Sequence, residues 1–160
     1  MLKKNFLKEK LESGQSVIGT WATIPSTITT DIIASTGIDF IIIDAEHGPI
    51  FFETAQNMVI TCESQNVSPV MRVGTIDEAD ILKALDIGVH CIQIPNVNSK
   101  KDVEKIVEFS KYPPIGERGF SPFTRAGNYS IKNSKSLTED ANKNTMIAIN
   151  IEGKEAIEDI

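Results

Sequence analysis

The chain has 160 residues, 41% of them hydrophobic and 24% charged, which suits one globular domain with a sizeable core and excludes a disordered chain or two ordinary domains. Twenty-two acidic residues against 16 basic ones give a net charge of −6, so no duplex-wide basic footprint exists and nucleic acid is not expected as a partner. No apolar run approaches the roughly twenty residues of a membrane span, and Cys62 and Cys91 have no metal-like spacing, so two free buried thiols in a cytoplasmic protein are expected.

Leu2, Phe6, Leu7 and Leu11 recur at helical spacing and predict a short amphipathic helix over 2–12, with Gly14 as its stop. A β-rich stretch over 17–23 follows, then Pro25 and Ser26 open a helix over 26–36 that Gly37 ends. Residues 38–43 form a β-branched run, the second strand, which stops in Asp44, Glu46 and His47. Residues 52–65 predict a helix with Ala55, Met58, Val59 and Cys62 on one face. A short strand over 69–73 carries Arg72 near its end, and a helix over 77–87 turns Ile81, Leu82 and Leu85 inward before Gly88. Residues 89–94 predict a fourth strand ended by Pro95-Asn96, and Ser99 caps a helix through Phe109, with Asp102 three residues on.

Residues 111–145 break this rhythm with Pro113-Pro114, Gly116, Gly119, Pro122 and Gly127-Asn128, and a polar stretch over 134–144 has room for a short helix. A fifth apolar strand over 146–151 and the start of another helix from Glu152 follow. Strand alternating with helix, on short connections, argues for a parallel α/β sheet with right-handed crossovers, doubly wound or closed as a barrel. Trp21-Ala22-Thr23-Ile24-Pro25 stands where a glycine-rich phosphate loop would follow the first strand, which favours the barrel.

Parallel strands bring their carboxyl ends to one face, so Asp44, Glu46, His47, Arg72, Gln93 and Glu152 converge there. His47 has the pKa range of a general base, with Asp44 to orient it, or else belongs to a surface ion pair. Arg72 suits a carboxylate or enolate oxygen, or alternatively a salt bridge to Asp44 or Glu46. Glu152 is a hard oxygen donor for magnesium or manganese, or simply a carboxylate at a helix start. His90 reads as a packing histidine, and Asp86 as a helix-end residue.

In order and spacing, Thr20-Trp21, Ile43-Asp44-Ala45-Glu46-His47-Gly48, Val70-Met71-Arg72-Val73, Leu85-Asp86-Ile87-Gly88, Ile94-Pro95-Asn96-Val97, the 112–119 stretch Tyr-Pro-Pro-Ile-Gly-Glu-Arg-Gly and Ile149-Asn150-Ile151-Glu152 resemble the class II pyruvate aldolases of the HpcH/HpaI family. That resemblance implies a (β/α)8 TIM barrel of the phosphoenolpyruvate/pyruvate type, here a single truncated domain over 1–160 of about five βα units behind an N-terminal helix. It also implies a divalent metal, Mg2+ or Mn2+, a metal-bound pyruvate enolate, and reversible cleavage of a 2-keto-3-deoxy or 4-hydroxy-2-oxo acid to pyruvate and an aldehyde. By position it makes His47 the base, Asp44 its partner, Arg72 the pyruvate ligand and Glu152 the first metal ligand. Asp86 matches an aspartate that the family places close to the site. Gln93 and Trp21 join Arg72 as candidate substrate contacts, and residues 120–129, with Phe120, are expected to help choose the aldehyde. The second metal ligand of the family is expected beyond residue 160, and a homo-oligomer is expected of a full-length relative. Two alternatives stay open: a citrate-lyase-like or malyl-CoA-type lyase subunit, and a catalytically silent truncated chain with a binding or assembly role.

Overall fold

The computed structural model describes residues 4–130 and 134–158. Five strands, β1 (Gly19–Ala22), β2 (Phe40–Asp44), β3 (Ser68–Arg72), β4 (Cys91–Val97) and β5 (Met146–Ile151), pair in parallel in chain order. The helices are α1 (Phe6–Glu12), α2 (Thr27–Ala34), α3 (Phe52–Ser64), α4 (Glu78–Asp86), α5 (Lys100–Ser110), α6 (Ser134–Asn144) and α7 (Lys154–Glu158). Four of them start where a side chain accepts an otherwise unpaired backbone N–H: Asn5 from Lys8, Ser26 from Thr29, Asp77 from Asp80 and Ser99 from Asp102.

Side chains alternate across the sheet with period two, and the two faces have different fates. Ile41, Ile43, Met71, Ile92 and Ile94 face the helices, where Ala55, Met58, Val59, Cys62, Ile81, Ala84, Leu85 and Ile106 complete the main core. On the inner face Leu7 of α1 packs on Val70 and Cys91, beside Phe40, Ile42, Met146 and Ala148. Thus α1 covers the amino-terminal half of the inner face, and the same residue rows continue upward as Asp44, Arg72, Gln93 and Asn150. The register sets Asp44 beside Arg72 and Arg72 beside Gln93. Cys62 and Cys91 are the two free, buried thiols expected, and burial pushes both up to about 12, so they are inert at neutral pH.

Three expectations change, on the face of α1, the end of β4 and the place of residues 120–129, while the short helix expected over 134–144 is present. Leu2 lies outside the described residues, and Phe6 and Leu11 face solvent, leaving Leu7 as the anchor of α1. β4 does not stop at Pro95-Asn96: it runs on to Val97 through an irregularity between Ile94 and Val97, a bulge where proline needs no ladder N–H and Asn96 takes a left-handed φ of 56°. The polar stretch after residue 133 forms a helix of 11 residues. Because residues 111–130 and 134–145 lie between the end of α5 and the start of β5, they sit at the amino-terminal end of the sheet. There Lys111 Nζ donates to the carbonyls of Asn142 (2.9 Å) and Thr145 (2.6 Å). Residues 120–129 therefore sit, within this chain, at the end of the sheet away from Asp44 and Arg72. Among the described residues no helix is long and apolar enough to cross a membrane.

Candidate active site

Asp44 is the last residue of β2 and is 2% exposed. Arg72 ends the neighbouring strand, and its guanidinium forks onto the carboxylate, with Nε donating to Oδ1 at 2.9 Å and Nη2 to Oδ2 at 2.7 Å. The backbone N–H groups of Glu46 and His47 also donate to Oδ1, at 3.1 and 3.2 Å, so one carboxylate ties the turn to the next strand. Burial alone would raise the Asp44 pKa. The Arg72 hydrogen bonds and charge and the two backbone donors outweigh it and hold the carboxyl below its ordinary range. Arg72 is correspondingly raised, by its bond to Asp44 and by the nearby charges of Asp44, Glu46 and Glu152. Gly48 closes the turn where a Cβ would collide with the carbonyl oxygen of Asp44 and lie 3.0 Å from that of Thr23.

Two further groups hold the guanidinium. The Trp21 ring lies under it, 4.2 Å from centroid to Cζ, and Glu46 Oε2 is 3.0 Å from Nη1 without the geometry of a directed hydrogen bond. Of the five N–H bonds of an arginine, two go to Asp44 and one faces Glu46, which leaves two for a ligand. His47 is exposed, and its ring makes no ion pair among the described residues; it reaches Asp44 through its backbone and not its imidazole. Across the inner face Gln93 Nε2 donates to Asn150 Oδ1 at 2.7 Å, Asn150 Nδ2 donates to Glu152 Oε1 at 3.1 Å, and the Asn96 N–H donates to Glu152 Oε2 at 3.0 Å. A buried cation thus faces an exposed, hydrogen-bonded carboxylate at the carboxyl end of a parallel sheet.

A family model for the HpcH/HpaI aldolase/citrate lyase family matches residues 17–160. The chain belongs to that family. It is 32% identical over 157 residues to a pyruvate aldolase of Rhizobium etli, covering 98% of this chain and 61% of that one. It is 30% identical over 156 residues to a 5-keto-4-deoxy-D-glucarate aldolase of Escherichia coli, covering 98% and 60%. The crystal structure of an HpcH/HpaI aldolase from Desulfitobacterium hafniense superposes with a TM-score of 0.88 at 32% identity, over 96% of this chain and 60% of that one. The chain thus spans about three fifths of the length of these HpcH/HpaI relatives, and its five parallel βα units form an incomplete barrel of their type.

Not every candidate joins the cluster in this HpcH/HpaI chain. Asp86 ends α4, at the opposite end of the sheet, where Arg118 Nη2 donates to its carboxylate at 2.8 Å and the Ala126 N–H to its carbonyl oxygen at 3.1 Å. Arg118 is itself buried and stacked on Tyr112 at 4.4 Å. His90 is buried at the same end, 3.3 Å from Glu63 Oε1, and Arg125 pairs with the other oxygen of Glu63. Sequence reasoning did not single out Asn150 or the Asn96 backbone as parts of the site. Asn150 was visible as the inner-face residue two before Glu152; the left-handed Asn96 had no signal beyond an Asn after a Pro.

Proposed function

We propose that this chain carries the pyruvate half of a divalent-metal-dependent aldolase, which cleaves a 2-keto-3-deoxy or 4-hydroxy-2-oxo acid to pyruvate and an aldehyde. The observation that carries the reading is Arg72, buried at a strand end, clamped by Asp44, Glu46 and Trp21, and left with two N–H bonds. A substrate 2-oxo acid would present its carboxylate and carbonyl oxygens to them. As the C3–C4 bond breaks, its electron pair moves into the C2 carbonyl, and a preorganised cation stabilises the oxygen on which the charge develops. The base must take the C4 hydroxyl proton so that this carbon leaves as an aldehyde. His47 is proposed for that task because its ring is exposed beside the clamp and has no competing ion pair among the described residues. Protonation of C3 then releases pyruvate.

The donor chemistry of the site suits a hard cation in part. Glu152 offers an exposed carboxylate on which each oxygen has accepted only one hydrogen bond, so lone pairs remain for magnesium or manganese. Among the described residues no group of three or more His, Cys, Asp or Glu could hold a metal, so Glu152 would be one ligand of a set completed elsewhere. When bound, such a cation would supply Lewis-acid stabilisation of the developing oxyanion.

The test is pyruvate release from oxaloacetate and from a panel of hydroxy-keto acids, with Mn2+ or Mg2+ and after chelation, using the protein made from its own gene. We expect metal-dependent release that falls at least about 100-fold in Arg72→Lys, which keeps the charge but not the planar fork. Cleavage of acyl-CoA thioesters without pyruvate release would instead support a lyase subunit, and no turnover of either class a silent chain. Both outcomes overturn the aldolase reading.

A further inference from the structure

We propose that Gln93 is a positioning residue, and that with Asn150 it forms a two-amide relay fixing the Glu152 carboxylate before any cation arrives. This rests on the reading of Glu152 as a cation ligand and assigns Gln93 a role other than substrate contact. Gln93 and Asn150 stand on the inner faces of adjacent strands, because Gln93 pairs in register with Ala148, two residues before Asn150. An asparagine amide can present its oxygen or its nitrogen to a neighbour. With Oδ1 turned to Glu152, two acceptors would face each other, so the carboxylate selects the Nδ2 end at 3.1 Å. Oδ1 then points to β4, where a donor is required, and Gln93 Nε2 supplies it at 2.7 Å. Neither amide can reverse alone without losing a hydrogen bond.

The second oxygen of Glu152 is held from the opposite side. The irregularity in β4 gives Asn96 a φ of 56° and turns its N–H onto Oε2 at 3.0 Å. An exposed glutamate ordinarily samples many rotamers, and that freedom is lost on binding. Here one side-chain donor and one backbone donor fix both oxygens, so the carboxylate meets a cation already oriented, in the way that outer partners orient metal ligands generally.

Gln93→Met keeps the length and packing of the side chain but removes the donor. The expected results are a Mn2+ dissociation constant 10- to 100-fold weaker than that of the unsubstituted protein, an unchanged melting temperature, and, in metal-free protein, displacement of the Asn150 side-chain amide signals in the proton–nitrogen NMR spectrum. Asn150→Ala should weaken Mn2+ by a similar factor. Glu152→Gln separates the two claims. If it abolishes Mn2+ binding while Gln93→Met leaves the constant within twofold, the relay is overturned and the ligand reading stands. If it leaves Mn2+ binding unchanged, or the protein binds none, the ligand reading falls and the amide spectrum decides: signals unmoved in Gln93→Met overturn the relay, and displaced signals uphold it as a fixed arrangement of Glu152.

Discussion

Asp44 and Arg72 tie the stability of the fold to the arginine clamp on which the proposed function rests. Their side chains are 2% and 10% exposed, so neither charge is tolerated without the other. Asp44→Asn keeps the shape and one acceptor but removes the charge. It should cost about 3 kcal/mol at neutral pH, because it leaves a buried guanidinium with only Glu46. The pH dependence gives a second check. A carboxylate held below its ordinary pKa stabilises the fold above that ordinary value, near 3.9, and the contribution disappears as pH falls through the lower folded-state value. Urea unfolding should therefore show a gap between the two proteins that is full at pH 7 and closes progressively below about pH 4. A gap independent of pH would show that lost packing, not lost charge, is responsible. At this scale the sequence was readable in kind but not in contact: Asp44 and Glu46 were both foreseeable partners of Arg72, whereas the attachment of His47 to Asp44 through its backbone could not be seen without the turn.

The turn after β2 is the element in which the site is built, and its geometry depends on one missing side chain. Gly48 lies so close to the carbonyls of Asp44 and Thr23 that Gly48→Ala must push backbone against backbone, and neither partner is a flexible side-chain end. The expected cost is about 2 kcal/mol, in the range of overpacking, and the Arg72 clamp should loosen with it. Near-ultraviolet circular dichroism of Trp21, which stacks on that guanidinium, would report the loosening; an unchanged Trp21 signal would show the turn absorbing the methyl elsewhere. Elements of this kind were largely legible. The alternation of strand and helix, the caps at Ser26 and Ser99 and the stops at Gly37 and Gly88 follow local rules that neighbours did not override. β4 failed to end at Pro95 because a bulge satisfies the ladder around it, and periodicity carries no trace of such a partner-dependent device.

Over the whole molecule the parallel sheet separates two polar centres. Asp44, Arg72 and Glu152 gather at the carboxyl ends of the strands, while Glu63, Asp86, His90, Arg118 and Arg125 lie at the amino ends, where Arg118 and Arg125 tie residues 118–130 to the ends of α4 and α3. Which end the long segment covers was already implicit in the sequence, because in a parallel strand–helix alternation a connection from a helix to the next strand lies at the amino ends; the expectation that residues 120–129 help choose the aldehyde did not follow that direction. The four steps of β3 from Ser68 to Arg72 separate the two ends of the sheet by about 13 Å, beyond the range at which substitutions ordinarily couple. Arg125→Met keeps the apolar stem while removing the charge that faces Glu63, which is 4% exposed but keeps its contact with His90. It should cost about 2 kcal/mol and raise hydrogen exchange through 118–130, with the Asp44 turn unchanged. Combined with Asp44→Asn it should be additive to within about 0.5 kcal/mol. A larger coupling energy in that cycle would mean that the strands transmit strain from one end of the sheet to the other, and that the segment at the amino ends influences the arginine clamp at the carboxyl ends.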